Sequence, residues 1–269
     1  MAPDTALRIT RIVPMKDRFV VFSIARSGGT TLMHLLNCHP DIRCINEPFN
    51  PGNVDGRYYE RVKDLGSLDE ALEEIWRDYN GIKHAWDPTG WPFSWKPYFN
   101  EHLLLKPDQK VLLLNRRNIL KRIVSSRISE QAQIWTLGDK SDKARLLEFQ
   151  FEPINTAYVN LKWHLEYERE IIAQQKQLLV ERRADFTELW YEDLYETSRT
   201  VEEKLDRLNE MLAFLGRERI TDQGTLSRVA WLFDPANTKL NSIDTYRRIP
   251  GIDVVERQFG SDETGWLFK

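Results

Sequence analysis

Residues 19–50 read FVVFSIARSGGTTLMHLLNCHPDIRCINEPFN. Phe19–Ile24 is a short apolar run of aromatic and β-branched side chains, the composition of a strand buried on both faces of an α/β sheet. The character then changes abruptly. Ala25-Arg26-Ser27-Gly28-Gly29-Thr30-Thr31 supplies two glycines for a tight turn with hydroxyls beside them, and Leu32, Leu35 and Leu36 follow at helical spacing. A strand that feeds a Gly-rich turn into a helix start aims backbone N–H groups and the positive end of the helix dipole at one point, which suits a phosphate.

Outward from this unit, strands and helices alternate. Residues 110–114 form a second apolar β-run and residues 186–190 a third. Ser67-Leu68-Asp69-Glu70 is a capping-box pattern that predicts a helix through Leu72, Ile75 and Trp76 to about Tyr79. Another helix is predicted from Asn118 to about Gln133, and a long amphipathic one from about Asn155 to Glu181 with Tyr158, Leu161, Leu165 and Ile172 on one stripe. Thr200-Val201-Glu202-Glu203 opens a further helix, carried by Val201, Leu205, Leu208, Leu212 and Leu215 and ended by Gly216. Strands separated by helices predict an α/β protein, a three-layer α/β/α arrangement around a central parallel sheet. With no internal repeat or low-complexity linker, residues 1–269 are expected to form one domain.

Charge and cysteine content narrow the function classes. The 269 residues carry 38 basic and 41 acidic side chains, a formal net charge of −3, so no global basic field points to nucleic acid and any anion site must be local. Cys38 and Cys44 are the only cysteines, too few for a disulfide scaffold and without the company of a zinc site; they read as buried free thiols suited to a reducing cytoplasm. The N-terminal stretch MAPDTALRITRIVPMKD lacks an apolar leader core, and no segment reaches the roughly 20 apolar residues of a membrane span. The expectation is a soluble, cytoplasmic protein.

The turn after the first strand is not an ATPase P-loop. That motif, G-x-x-x-x-G-K-[ST], places a lysine just after the last glycine, where this chain has Thr30, while its cation, Arg26, precedes the glycines. Arginine first, then glycines, then two threonines is the R-[ST]-G-x-T pattern of sulfotransferases that use 3′-phosphoadenosine 5′-phosphosulfate (PAPS), and the chain resembles that family. Thr30-Thr31-Leu32-Met33, His39-Pro40-Asp41-Ile42-Arg43-Cys44 and Glu47 extend the likeness to tyrosylprotein and bacterial carbohydrate sulfotransferases. Against the R-S-G-T-T form there is one extra glycine. The resemblance implies that Arg26, Ser27, Gly28, Gly29, Thr30 and Thr31 hold the 5′ end of PAPS, with 3′-phosphoadenosine 5′-phosphate (PAP) as product.

Two further matches carry the resemblance, within scattered motifs from about Phe19 to Gly216, and a weaker one follows toward the C-terminus. After the 110–114 run, Arg117-Asn118 and Ser125 match the R-[DN]-x6-S clamp on the 3′-phosphate; by composition alone the stretch is an exposed basic helix face, and Arg116 ranks below Arg117. Tyr191-Glu192-Asp193-Leu194 with Phe214-Leu215-Gly216 resembles the family's Y-E-D-[LM] and F-L-G segments, which implies Tyr191 beside the adenine and structural hydrogen bonds for Glu192 and Asp193. Arg247-Arg248-Ile249-Pro250-Gly251 is a weaker counterpart of the R-K-G-x-x-G phosphate loop, and equally a solvated basic turn.

For a general base, Glu47 leads. It sits in the apolar context Ile45-Asn46-Glu47-Pro48-Phe49, where desolvation raises a carboxyl pKa and a nearby Arg26 opposes this. The resemblance implies the same role, with Asn46 in place of the family's glycine. His84, in Gly81-Ile82-Lys83-His84, is the competitor: it resembles the K-x-H segment with one residue fewer, and imidazole titrates near neutrality. No metal is needed, and no carboxylate cluster suggests one. The acceptor, an alcohol or phenol of a sugar, phenolic compound or lipid, is not specified. Trp86, Trp91, Phe93, Trp95, Tyr98 and Phe99 crowd one segment as an acceptor platform or as a packed lid. The alternatives to a sulfotransferase are a P-loop kinase or NTPase that has lost its lysine and a catalytically silent nucleotide-binding protein. Oligomeric state is open.

Overall fold

The computed structural model describes residues 18–87, 89–93, 96–135, 140–154, 161–239 and 242–269. Five parallel strands form one sheet in the order β2-β3-β1-β4-β5: β1 (Phe19–Ile24), β2 (Cys44–Asn46), β3 (Gly81–Trp86), β4 (Lys110–Asn115) and β5 (Asp185–Trp190). Side-chain alternation splits the central strands between two cores. Phe19, Val21, Leu112 and Leu114 join one face with α1 (Gly29–Leu36), α8 (Val201–Phe214) and α9 (Gln223–Phe233). Val20, Phe22, Ile24, Val111 and Leu113 join the other with α2 (Leu65–Asp78) and α3 (Tyr98–Leu104). This is the three-layer α/β/α arrangement that continuous apolar strands predict.

A third cluster joins α4 (Ile119–Ala132), α5 (Lys140–Glu148) and α6 (Leu161–Glu181) to α11 (Ile243–Arg247) and α12 (Ile252–Phe259). Two short helices, α7 (Tyr191–Tyr195) and α10 (Pro235–Thr238), complete the set used below. Among the described residues no helix is long and apolar enough to cross a membrane. Both cysteines are buried free thiols.

Several boundaries differ from expectation for local reasons. The helix expected from Ser67 starts at Leu65, because Asp64 is the cap: its carboxylate accepts from the Ser67 N–H at 2.8 Å while Ser67 Oγ accepts from the Asp64 N–H at 3.0 Å. The capping box at Thr200 and Glu203 forms as predicted, and Asn118 caps α4 through Lys121 N–H at 2.8 Å. Of the long helix, the described part is Leu161–Glu181; Asn155 and Tyr158 lie outside the described residues. Strands β2 and β3 had no apolar-run signature. One has three residues, and the other carries Lys83 and His84 in its middle.

Candidate functional site

In an open parallel sheet, ligands bind at the carboxyl ends of the strands where the connections change direction. Here β1 lies centrally, with β3 on one side and β4 on the other. The turns after β1 and β4, the residue after β2 and the helix after β5 all lie at those ends. They carry Arg26 to Thr31, Arg116 to Asn118, Glu47 and Tyr191 respectively.

The turn after β1 is fixed by its neighbours. Gly28 caps α1 with φ +83°, and a Cβ there would lie 2.6 Å from Tyr195 Cε2 and 3.1 Å from Tyr191 Cδ2, so glycine is required both by backbone and by space. Tyr195 donates to the Gly28 carbonyl at 3.1 Å. A Cβ on Gly29 would lie 2.5 Å from Ser23 Oγ and 2.9 Å from Lys83 Cε. No side chain caps the start of α1, so its first N–H groups have no capping partner.

Arg26 itself has φ +69°, a left-handed conformation that costs a non-glycine residue about 1–2 kcal/mol. Two buried arginines offset this. Arg116 Nη1 donates to the Arg26 carbonyl at 3.0 Å, and Arg122 Nη1 to the Ala25 carbonyl at 3.3 Å. Arg122 is held in turn by a two-pronged ion pair with the buried Glu168 of α6. The Arg26 side chain then reaches across to α4: Nε donates to Ser125 Oγ at 3.3 Å, and Nη1 to the Trp135 carbonyl. Burial, and repulsion from Arg116 and Arg122, pull the Arg26 pKa down to about 10, which leaves it cationic at neutral pH. The guanidinium groups of Arg26, Arg116 and Arg122 converge here, and the Glu168 carboxylate is committed to Arg122.

The second half of the arrangement centres on Tyr191. Arg116 lies over its ring at 4.2 Å from the centroid, Lys239 at 5.8 Å, and Tyr195 packs at 5.0 Å. Burial first, then the fields of Arg116 and Lys239, lower the Lys121 pKa; its ammonium donates to the Lys269 carbonyl at 3.2 Å. Tyr246, buried, also faces Arg116 and Arg26.

Arg117 points elsewhere. It makes a two-pronged pair with Asp193 at 3.0 and 2.9 Å, lies over Trp190 and is half-exposed. The sequence ranked Arg117 above Arg116; at a strand end successive side chains face opposite sides, and the inward-facing one is Arg116. Glu192 accepts from the N–H groups of Arg117 and Asn118 at 3.0 and 2.9 Å, tying α7 to the turn after β4. The two C-terminal arginines also have other partners: Arg247 pairs with Asp244 at 3.7 Å, and Arg248 donates to the Leu146 and Phe149 carbonyls and lies over Phe151.

Glu47 follows β2 with φ +46°. Its carboxylate is paired with Lys83 through one oxygen and accepts from Asn50 Nδ2 through the other. Burial alone would raise its pKa; Lys83, the hydrogen bonds from Lys83 and Asn50, and the nearby His84 outweigh that and hold it below the ordinary carboxylate value. His84 is enclosed by Phe22, Phe49 and Phe93, and its Nε2 lies 2.7 Å from Asn100 Oδ1. Burial lowers its pKa to about 4, against the hydrogen bond His84 donates to Asn100 and the field of Glu47. From the aromatic segment, Trp86, Phe93 and Phe99 are core residues around His84, Tyr98 is half-exposed, and Trp95 lies outside the described residues.

Sequence reasoning passed over Lys83, Lys121, Lys239, Tyr195 and Tyr246. Only Lys83 had a local signal, a lysine inside a run that alternates too poorly to be a surface strand. The others become visible only once distant segments meet.

No protein-family model matches the chain, and no curated protein matches it. Among solved structures it is similar to mouse sulfotransferase SULT7A1 complexed with PAP, at 14% identity and a TM-score of 0.45 over 85% of this chain and 67% of that one. It is also similar to retinol dehydratase in a complex with retinol and PAP, at 16% identity and a TM-score of 0.38 over 90% of this chain and 72% of that one. Neither score carries a role over to a residue of this chain.

Proposed function

We propose that this protein is a PAPS-dependent sulfotransferase that moves a sulfuryl group to an acceptor hydroxyl of a sugar, phenol or lipid alcohol. The observation that carries the reading is the junction of β1 and β4, where Arg26 meets Ser125 while Arg116 braces the Arg26 carbonyl, beside a helix start that no side chain caps. Its fit to an anionic nucleotide is supported by two buried polar atoms without hydrogen-bond partners among the described residues, Ser27 Oγ and Arg116 Nε.

PAPS supplies an activated sulfuryl group on its 5′-phosphate. Arg26, with the N–H groups and hydroxyls of residues 27–31, binds the 5′ end and meets the negative charge that grows on the phosphate oxygen as the S–O bond breaks. Ser125 and Arg116 bind the 3′-phosphate, and Lys239 adds charge there; Arg117 stays paired with Asp193. Tyr191 lines the nucleotide site. Glu47 takes the proton of the acceptor hydroxyl as the new O–S bond forms, leaving PAP and a sulfated acceptor. Position favours Glu47 over His84, since Glu47 lies at a strand end beside Lys83 whereas His84 is walled in by aromatic rings. Positioning and electrostatics do most of the work in the related phosphoryl transfers, and these residues supply both.

Transfer of label from sulfur-labelled PAPS to panels of sugars, phenols and lipid alcohols tests the reading. Labelled product from one panel is expected. Absence of transfer to any panel, with ATP hydrolysed instead, would contradict it.

A further inference from the structure

Lys83 holds the proposed base and at the same time lies against the proposed nucleotide cradle. It stands opposite Asn46 in the β2–β3 register, almost fully buried. Its ammonium pairs with Glu47, and its Cε lies 2.9 Å from where a Cβ on Gly29 would sit, so its stem runs beside the first residue of α1. An ammonium is a compact point charge on a rotatable stem and has no preferred plane, so it can turn between two anions within reach of that stem. The other Glu47 oxygen is held by Asn50, which keeps the carboxylate in place when Lys83 turns away.

We propose that Lys83 is an exchanging cation: it neutralises Glu47 in the free protein and turns to the 5′-phosphate when nucleotide enters the cradle, releasing Glu47 as a base only in the loaded enzyme. This rests on the reading of the cradle as a PAPS site. The consequence has a definite sign. Phosphate and carboxylate compete for one ammonium, so nucleotide binding and ionisation of Glu47 oppose each other, and by reciprocity neutralising Glu47 strengthens nucleotide binding. Without Lys83 beside it, the largely buried Glu47 binds a proton more readily.

Other groups facing the pair are His34 from α1, Cys44 from β2 and His84 on β3. Burial holds His84 neutral above about pH 4 and pushes the Cys44 thiol up, so neither titrates near pH 6. His34 does not depend on Glu47, and a substitution at Glu47 separates the two.

Calorimetric titration of the whole chain with PAP near pH 6, in two buffers of different ionisation enthalpy, reads the protons taken up on binding. Since the phosphates of PAP titrate in the same range and release protons on binding, the reading is the difference between proteins: the wild type is expected to take up a fraction of a proton more than Glu47→Gln. Glu47→Gln is expected to keep only the exchange due to the nucleotide's phosphates and to bind PAP roughly fivefold tighter or more. Lys83→Met is expected to bind PAP more weakly, and adding Glu47→Gln to it should change nothing further. Should Lys83→Met fail to fold, the Glu47→Gln comparison decides alone. PAP binding with the same affinity and proton uptake in wild type and Glu47→Gln overturns the exchange and leaves the cradle reading standing. No PAP binding at all overturns both.

Discussion

Two buried acid–base pairs flank the turn after β1, and they are built differently. Arg122 and Glu168 meet fork to fork, with side chains 9% and 2% exposed, and Arg122 also carries the Ala25 carbonyl. Lys83 and Glu47 meet through a single carboxylate oxygen, with side chains 5% and 14% exposed, beside the helix start. A planar guanidinium matched to a carboxylate has one good geometry and acts as a strut; an ammonium has many, and its partner can be exchanged. The lesson is that burial of charge does not by itself separate architecture from chemistry. The number of bonds that fix each partner does.

The largest effect that sharpens this contrast is expected at Glu47. Glu47→Gln keeps the shape but removes the proton acceptor, so turnover should fall by about 10²- to 10⁴-fold, with a loss in melting temperature smaller than at the strut because the rotatable Lys83 ammonium can turn to another acceptor or solvent. A steady-state assay beside a thermal melt checks both halves. At the strut the pattern reverses. Glu168→Ala leaves Arg122 buried without a partner, and stability should drop by about 3–5 kcal/mol, a loss in melting temperature on the order of ten degrees. If Glu168→Ala melts like wild type, Arg122–Glu168 is not a strut.

The neighbour of Glu47 gives a pH signature. Burial lowers the His84 pKa from 6.5 to about 4, so the unfolded chain binds the proton more readily than the folded one. His84 therefore stays neutral in the fold at a cost that grows with acid: stability is full above about pH 6.5 and falls by on the order of 3 kcal/mol as pH drops toward 4. Denaturant titrations at several pH values should show this slope, and His84→Leu should flatten it. Glu47, with its pKa depressed, adds acid loss of the same sign at lower pH.

The smallest effects separate Arg116 from Arg117. Arg116→Met removes a guanidinium from beside Tyr191 and the Arg26 carbonyl and should weaken PAP binding about tenfold or more. Arg117→Met breaks a half-exposed pair with Asp193 and should change affinity by less than about fivefold. Calorimetry with PAP compares them. Equal losses would return Arg117 to the first rank.

These residues also mark what the sequence could and could not reveal. Strand β1, its glycine turn, α1, β4, β5 and the Thr200 cap were legible because each is written in local periodicity or capping chemistry. β3 was not, because Lys83 and His84 replace apolar residues in its centre, and their burial is sustained by partners from other segments, Glu47 and Asn100. Arg26 and Glu47 could be singled out from context, and they lie just after β1 and β2 at the carboxyl ends of the sheet. The choice between Arg116 and Arg117 was not legible, since a one-residue change at a strand end reverses direction and only the packed sheet sets which way is inward. Lys239 and Tyr246 reach Tyr191 and Arg116 from the far end of the chain, and no local pattern announces that.

Calorimetric titration with PAP, ADP and ATP in the absence of magnesium tests the central claim, that the cradle at Arg26 and the cations around Tyr191 form one site for a nucleotide with two separated phosphates. PAP should bind at least tenfold more tightly than ADP or ATP, since charge-assisted contacts to the 3′-phosphate contribute about 1.5–3 kcal/mol. Equal affinity for PAP and ADP, or a preference for ATP, would contradict it.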